Sequence, residues 1–219
     1  MGKRIFGGFV KMSSPNIQDI KNNTERGSAA LSLMEKNSEK ILELGTGNGE
    51  FMSELKKRGY NVIGLDILPN KILLERGFDV RKHDLNKGLP FKKSSLDVVI
   101  GLEVLEHLYN PYEMMKEIKR VLKPNGYMII SMPNTGSFFS RIGQLYEKRM
   151  DNLNIYWHHY QPSITSIRNL VSNELKIEKE VFISSFRRLR IFNPILKALS
   201  KLNKNAFCGD FMVKARKIK

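Results

Sequence analysis

The sequence predicts a doubly wound α/β sheet of about seven strands, mostly parallel, with helices on both faces and a C-terminal antiparallel hairpin. Three observations carry this expectation. Short apolar runs alternate with segments of helical spacing between residues 39 and 132. The fourth run, Leu96–Ile100, is apolar apart from Asp97, as expected of a strand covered on both faces. The chain closes on two further strand-like runs, Ile177–Phe182 and Phe207–Ala215, read as a terminal antiparallel hairpin.

The elements follow in order. Residues 1–24 hold Gly, Ser, Asn and Pro without periodicity and read as an arm or lid. Residues 25–219 read as one domain. Ala29, Ala30, Leu33 and Met34 fall at helical spacing and predict a helix over 25–37, leading into a first strand, Ile41–Leu44. Asn48 is an N-cap-type residue for the next helix, whose apolar face is Phe51, Met52 and Leu55, with Gly59 as its stop. Val62–Leu65 is the second strand. Pro69 and Asn70 open a helix running to about Arg76, closed by Gly77. Val80–Lys82 is a third strand ending toward Asp84. Pro111 starts a helix carrying Met114, Met115, Ile118, Val121 and Leu122. Pro124–Gly126 is a turn, and Tyr127–Met132 is the fifth strand. Residues 136–150 read as helical, Trp157–Tyr160 as an aromatic loop bearing two histidines, and Ser163 as the cap of a helix through Asn173. Ile177–Phe182 and Phe207–Ala215 are the last strands.

The segment with most chemical content is Ile41–Phe51. An apolar run ends in glycines at alternate positions, Gly45, Gly47 and Gly49, and a second run ends in Asp66. A strand, a turn nearly bare of side chains, a helix, and a second strand tipped by a carboxylate hold adenosine-containing ligands at the carboxyl ends of parallel strands. The dinucleotide fingerprint G-x-G-x-x-G is not met, because Glu50 stands where its third glycine would fall. No Gly-Lys-Ser/Thr follows, so a Walker loop is excluded. No basic residue lies between Gly45 and Phe51, whereas Glu43 precedes the turn. That favours a ligand with a positive centre, an ammonium or a sulfonium, over a phosphate. S-adenosylmethionine has both, and ribose hydroxyls for Asp66.

Further motifs follow in order: His83-Asp84-Leu85 before Leu89-Pro90-Phe91; Leu96-Asp97 through Leu102-Glu103 to Glu106-His107-Leu108; and Val121 through Pro124, Gly126 and Pro133 to Asn134. With Glu43–Gly49 and Asp66 they make residues 39–132 resemble the Rossmann-like class I S-adenosylmethionine-dependent methyltransferases. Within these the chain looks most like the small-molecule group typified by quinone-biosynthesis O-methyltransferases and methionine-biosynthesis-associated proteins. The resemblance implies a cofactor half over 39–132 and a substrate-side half over 133–219.

It also implies site roles. Gly45, Thr46, Gly47 and Gly49 would let backbone approach the methionine portion of the cofactor, with the following helix receiving its carboxylate. Asp66 would accept from the ribose hydroxyls, Asp84 would bind the adenine amino group, the Leu85 backbone would read the ring edge, and Ile67 and Leu68 would pack on the ring. Leu102 closes the cofactor side. Glu43 either touches the ligand or orients the turn. Methyl transfer from a sulfonium needs alignment, dehydration and, for a weak nucleophile, proton removal. His107 is a candidate base, and His158 or His159 a candidate lining of the acceptor pocket. Glu103, Glu106 and His107 carry ligands that a divalent cation would accept, as in the quinone enzymes, but no metal is assigned.

Composition bounds the rest. A chain of 219 residues with 41% apolar and 27% charged residues fits one globular domain. No run suits a transmembrane helix or signal peptide. The single cysteine, Cys208, cannot form an intrachain disulfide, and a cytoplasmic location is expected. The net charge of +15 is compatible with a solvated surface, an anionic membrane or nucleic acid. Part of it lies in a basic amphipathic insertion at 185–205, where Ile195, Leu196, Leu199 and Leu202 share a helical face and Lys197, Lys201 and Lys204 lie outside it. That pattern suits an anionic lipid surface or lipid-linked substrate, or packing on the sheet or on a partner subunit in a homodimer. The expected activity is methyl transfer to oxygen or nitrogen of a small acceptor. The rivals are an RNA methyltransferase and a non-catalytic S-adenosylmethionine-binding regulatory protein.

Overall fold

In the computed structural model, which describes residues 17–36, 38–138, 140–141, 159–183 and 203–218, seven strands form one sheet in the order β3-β2-β1-β4-β5-β7-β6. They are β1 (Ile41–Leu44), β2 (Val62–Asp66), β3 (Val80–Lys82), β4 (Leu96–Leu102), β5 (Leu122–Pro133), β6 (Lys176–Ile183) and β7 (Asp210–Arg216). The first five run parallel, and β7 lies antiparallel to both β5 and β6. The chain winds outward from β1 to β3, then returns to β4 on the other side of β1. That reversal opens a crevice at the carboxyl ends of β1 and β4, the usual ligand position in such sheets.

Helices α1 (Ile17–Ser32), α2 (Glu50–Lys57) and α3 (Lys71–Glu75) cover one face, where Ala30, Met52, Leu55 and Leu73 pack with Ile41, Val62, Val98 and Ile129. Helices α4 (Pro111–Val121) and α5 (Ile164–Ser172) cover the other, where Met115, Ile118, Ile167 and Leu170 meet Leu42, Leu44, Val99 and Ile130. Each fully buried leucine on these faces contributes about 1.5–3 kcal/mol. Alternation along β1 sends Leu42 and Leu44 to the α4–α5 side, and Ile41 with Glu43 to the α1–α2 side.

Most helix starts follow their side chains. Asn70 accepts the Ile72 N–H, Asn110 accepts the Glu113 N–H ahead of Pro111, and Ser163 accepts the Ser166 N–H. Helix α2 does not: its N-cap is Gly49, left-handed at φ 75° and without a side-chain cap, while Asn48 is exposed. Helix α1 begins at Ile17, so the last eight residues of the expected arm are helical. Asn22, Asn23 and Thr24 are weak helix formers and conceal it in the sequence. The turn at Pro124–Gly126 bulges out of β5, since Leu122 pairs with Leu96 and Tyr127 already with Val98. The last strand begins at Asp210, because a one-turn helix, α6 (Lys204–Phe207), precedes it, and Cys208 is buried between the two. Of the helix expected over 136–150, positions 138, 140 and 141 are helical and 142–150 fall outside the described residues. The 185–205 insertion lies almost wholly outside them as well. No helix among the described residues is long and apolar enough to cross a membrane.

Two contacts fix the chain around α1 against β7. Lys214, buried in the middle of β7, donates to the Leu33 carbonyl at 3.0 Å and to Glu35 Oε1 at 2.6 Å, and its Nζ lies 4.2 Å from the Tyr127 ring centre. Nearer the crevice, Arg26 of α1 lies 3.5 Å from Asp210 at the start of β7.

Candidate functional site

A cavity of about 460 Å³ opens over the turn between β1 and α2. Its floor is Glu43, Gly45, Thr46 and Gly47, with Arg26 of α1 and Phe51 of α2 on its walls and Leu102 and Glu103 at the end of β4. The alternate glycines serve different ends. A Cβ on Gly49 would stand 2.2 Å from Leu73 Cδ2, so α3 packs directly on the turn. Gly47 adopts φ 50°, and a Cβ there would meet nothing within 4 Å, so its bare face looks into open space. Asp66 spans the gap between strands: Oδ2 accepts the Gly47 N–H at 2.9 Å and Oδ1 the Leu68 N–H at 2.8 Å.

Beneath the turn, Glu43 is buried and its Oε2 meets no hydrogen-bond partner, as is true of Thr46 Oγ1. Burial, reinforced by the charge of Asp66, pushes the Glu43 carboxyl up to about 8. Two buried polar atoms without a partner therefore lie on the floor of the cavity, where a polar ligand group could meet them. A ligand ammonium near Glu43 would favour the charged form of that carboxyl.

Along the crevice, Asp84 caps the 3-10 turn Leu85–Lys87, its Oδ1 accepting from the Asn86 N–H at 3.0 Å. That backbone hydrogen bond holds its carboxyl below the usual range. Leu85 is buried, whereas Ile67 is 59% exposed and Leu68 72% exposed, leaving an apolar ledge beside Asp66. Asn86 Oδ1 in turn accepts the Tyr109 N–H, joining this loop to the one after β4.

Past Leu102 the backbone enters the left-handed region at Glu103, φ 57°. Three contacts hold it: its N–H donates to the Ser131 carbonyl at 3.1 Å, its Oε1 accepts from Ser131 Oγ at 2.9 Å, and its Oε2 lies 3.5 Å from Arg26. A 3-10 turn, Leu105–His107, follows. In it Glu106 is 1% exposed and neither carboxyl oxygen has a hydrogen-bond partner. Burial first, then the Glu103 charge, raises its carboxyl well above the usual range. Its own backbone N–H faces the carboxyl and offsets part of that cost.

The histidines lie outward of this cluster. His107 is exposed at the end of the turn, and His159 is exposed with its ring 4.5 Å from that of Tyr109. Tyr160 donates its N–H to the Glu106 carbonyl, so the segment after β5 docks on the loop after β4. His158 lies outside the described residues. Among the described residues no group of three His, Cys, Asp or Glu side chains converges on a metal position.

Sequence reasoning missed Arg26, Ser131 and Asp210. Arg26 sits in a helix that carries no motif, and Asp210 lies in a stretch that reads as plain strand. Only the sheet order, which puts β7 beside β5, brings them to the end of β4.

The comparisons agree with this geometry. A family model described as a methyltransferase domain matches residues 18–174. An uncharacterized protein of Methanocaldococcus jannaschii is 32% identical over 170 residues, 74% of this chain and 72% of its own length. A ubiquinone biosynthesis O-methyltransferase of Dechloromonas aromatica is 31% identical over 122 residues, 51% of this chain and 53% of its own. A solved S-adenosylmethionine-dependent methyltransferase from Archaeoglobus fulgidus superposes with TM-score 0.68 at 22% identity, covering 90% of this chain and 94% of that one.

Proposed function

Because this chain belongs to the class I S-adenosylmethionine-dependent methyltransferases, we propose that it methylates oxygen or nitrogen of a small-molecule acceptor, through a site built on the glycine turn and the loop after β4. The observation that carries the placement is the pair of orphaned polar atoms, Glu43 Oε2 and Thr46 Oγ1, on the floor of the turn cavity.

When bound, the cofactor supplies an electrophilic methyl on a sulfonium. The chain's part is to bind, align and dehydrate. Gly45, Thr46 and Gly47 admit the amino-acid portion and Arg26 meets its carboxylate, whereas Gly49, expected from the sequence to approach the cofactor, instead lets α3 pack on the turn. Asp66 takes the ribose, Asp84 and Leu85 the adenine edge, and Ile67 the ring face. Glu103 and Leu102 border the reacting end, where His107 and His159 stand at the acceptor's approach. The likeness to the quinone enzyme over about half of each chain supports a small acceptor. The stretch 185–205 is proposed to meet an anionic lipid surface or a lipid-linked acceptor. Leucine-to-serine changes at Leu196 and Leu199 should then abolish liposome binding.

Calorimetric titration with S-adenosylmethionine and S-adenosylhomocysteine tests the site. Micromolar binding of either supports it; absence of both overturns it. Labelled-methyl transfer to phenols, amines and RNA then separates the acceptor classes. Transfer to RNA alone would replace the small-molecule reading, and binding without any transfer would favour a regulatory protein.

A further inference from the structure

The edge of the sheet away from the cavity is lined by lysines. Lys36 precedes β1, Lys57 closes α2 ahead of β2, Lys92 and Lys93 precede β4, Lys176 opens β6, and Lys217 follows β7, which runs the other way. The first five are exposed, and none of the six has a carboxylate partner among the described residues. The carboxylates of this edge are largely engaged already. Asp97 accepts from Lys123 Nζ at 2.7 Å and from the Lys40 N–H at 2.8 Å, Glu174 pairs with Lys119 at 3.0 Å, and Glu35 and Glu178 pair with Arg216. Glu39, exposed, stands outside these pairs. Lys217 Nζ donates to the Leu122 carbonyl at 2.7 Å, and burial, then the Lys93 and Lys119 charges, lowers its amine below the usual range. Cations here face cations. Of the residues on this edge, only 37 and 219 fall outside those described.

The lysines form a track from the β2 side to β6, five inter-strand steps of about 4.8 Å, or roughly 24 Å. Its composition selects among anionic partners. Protein interfaces are depleted in lysine and enriched in aromatic residues. A membrane surface is held by cations together with large apolar side chains that enter it, and here Ile218, next to Lys217, supplies a single such side chain. A second copy of the same face would repel the first. Phosphate backbones, in contrast, are held by lysine, arginine, asparagine and tyrosine. A hollow of about 480 Å³ at the β1–β2 end joins Lys36 to Arg58, Tyr60 and Asn61, two cations for phosphate with a ring and an amide for an unstacked base. We propose that this amino edge of the sheet binds single-stranded nucleic acid by its backbone, as a docking surface and not as the methylated acceptor. The seven residues of β4 separate it from Leu102 and Glu103 at the cofactor cavity by about 20 Å. The inference does not depend on which acceptor is methylated.

The test uses labelled RNA and DNA of one mixed sequence, about 20 nucleotides long so as to span the track, and phosphatidylserine-containing phosphatidylcholine vesicles. Each is added to the whole protein with and without saturating S-adenosylhomocysteine. Fluorescence anisotropy reads the oligonucleotides, and co-sedimentation reads the vesicles. The expected result is micromolar oligonucleotide binding at about 100 mM salt that weakens as salt rises and persists in the S-adenosylhomocysteine complex. Whichever of RNA and DNA binds more tightly identifies the source. Affinity should fall by about tenfold or more in the pair Lys92→Glu and Lys93→Glu, and likewise in the pair Lys36→Glu and Lys57→Glu. These four side chains are exposed and unpaired, so melting temperature and S-adenosylhomocysteine affinity should stay as they are. Lys71→Glu with Lys87→Glu removes the same charge from the carboxyl side and should change oligonucleotide affinity by less than about threefold. Equal losses in that control would mean that net charge alone attracts the strand, and the site falls. Absence of oligonucleotide binding at low salt overturns the proposal, as does competition with S-adenosylhomocysteine, which would put the strand on the acceptor side. Vesicle binding through Lys92 and Lys93 without oligonucleotide binding would make this a membrane face instead. Oligonucleotide binding through these lysines with no S-adenosylhomocysteine binding would leave the surface standing and sink the cofactor site.

Discussion

Asp66 Oδ2 accepts the Gly47 N–H at 2.9 Å, so the carboxylate that ends β2 holds the middle of the turn that ends β1. Its other oxygen accepts the Leu68 N–H. Asp66 therefore has a structural task of its own, tying the glycine turn to the end of β2. Asp66→Ala should weaken S-adenosylhomocysteine binding by about 1–3 kcal/mol, the range for removing the partner of buried polar groups. Calorimetry reads this directly, and unchanged affinity would take Asp66 out of the site.

Glu43 makes the free protein's stability depend on pH. Its carboxyl titrates near 4.5 when the chain is unfolded and at about 8 when it is folded. Between these values the folded state binds more protons than the unfolded state, so stability is full below about pH 4.5 and declines as pH rises to 8. A shift of that size corresponds to at most about 5 kcal/mol. Urea denaturation should show lower stability at pH 8 than at pH 5.5, and Glu43→Gln should flatten most of the slope. A residual slope should remain from Glu106, which is raised in the same direction. An identical slope in the variant would mean that Glu43 is ionised in the folded chain.

What could be read from the chain divides along physical lines. The strands were legible because burial on both faces leaves continuous apolar runs, and Val80–Lys82 fell where the sequence placed it. Caps at Asn70 and Ser163 were legible because they act within three residues. Gly49 was not recognised as the α2 cap, since its left-handed backbone caps without any side chain and Asn48 offered a better-known signal. Asp66 and the glycine turn were legible as a spacing. The Arg26–Glu103–Asp210 cluster was not, because its members lie far apart in sequence and meet only through sheet order. The burial of Lys214 carries no local sequence signal, because Glu35 and the Tyr127 ring that make it possible lie far away in the chain.

The two ends of the glycine turn should respond differently to the same change. Gly49→Ala puts a methyl 2.2 Å from Leu73 at a φ of 75°, and should cost about 2–3 kcal/mol of stability from strain and overpacking. Leu73→Ala should recover part of that loss in the double variant. Gly47→Ala meets no neighbour and should cost only about 1 kcal/mol. Its methyl would nevertheless enter the space left for the ligand, so cofactor affinity should fall more than stability does. Equal stability losses in the two variants would contradict the packing difference.

Arg26 offers the sharpest separation of cofactor from scaffold. It is buried, it lines the turn cavity, and its two carboxylate partners stand at 3.5 Å, longer than hydrogen-bonded ion pairs. A ligand carboxylate can therefore compete for it. Arg26→Gln should weaken S-adenosylhomocysteine by about tenfold or more, the loss of a charge-assisted contact. Methylthioadenosine keeps the adenosine and lacks the amino-acid carboxylate, so its affinity should hardly move. Parallel losses for both ligands would instead mean that Arg26 acts by holding α1 against Glu103 and Asp210. In that case melting temperature and both affinities should fall together, and Arg26→Lys, which keeps the charge, should restore much of each.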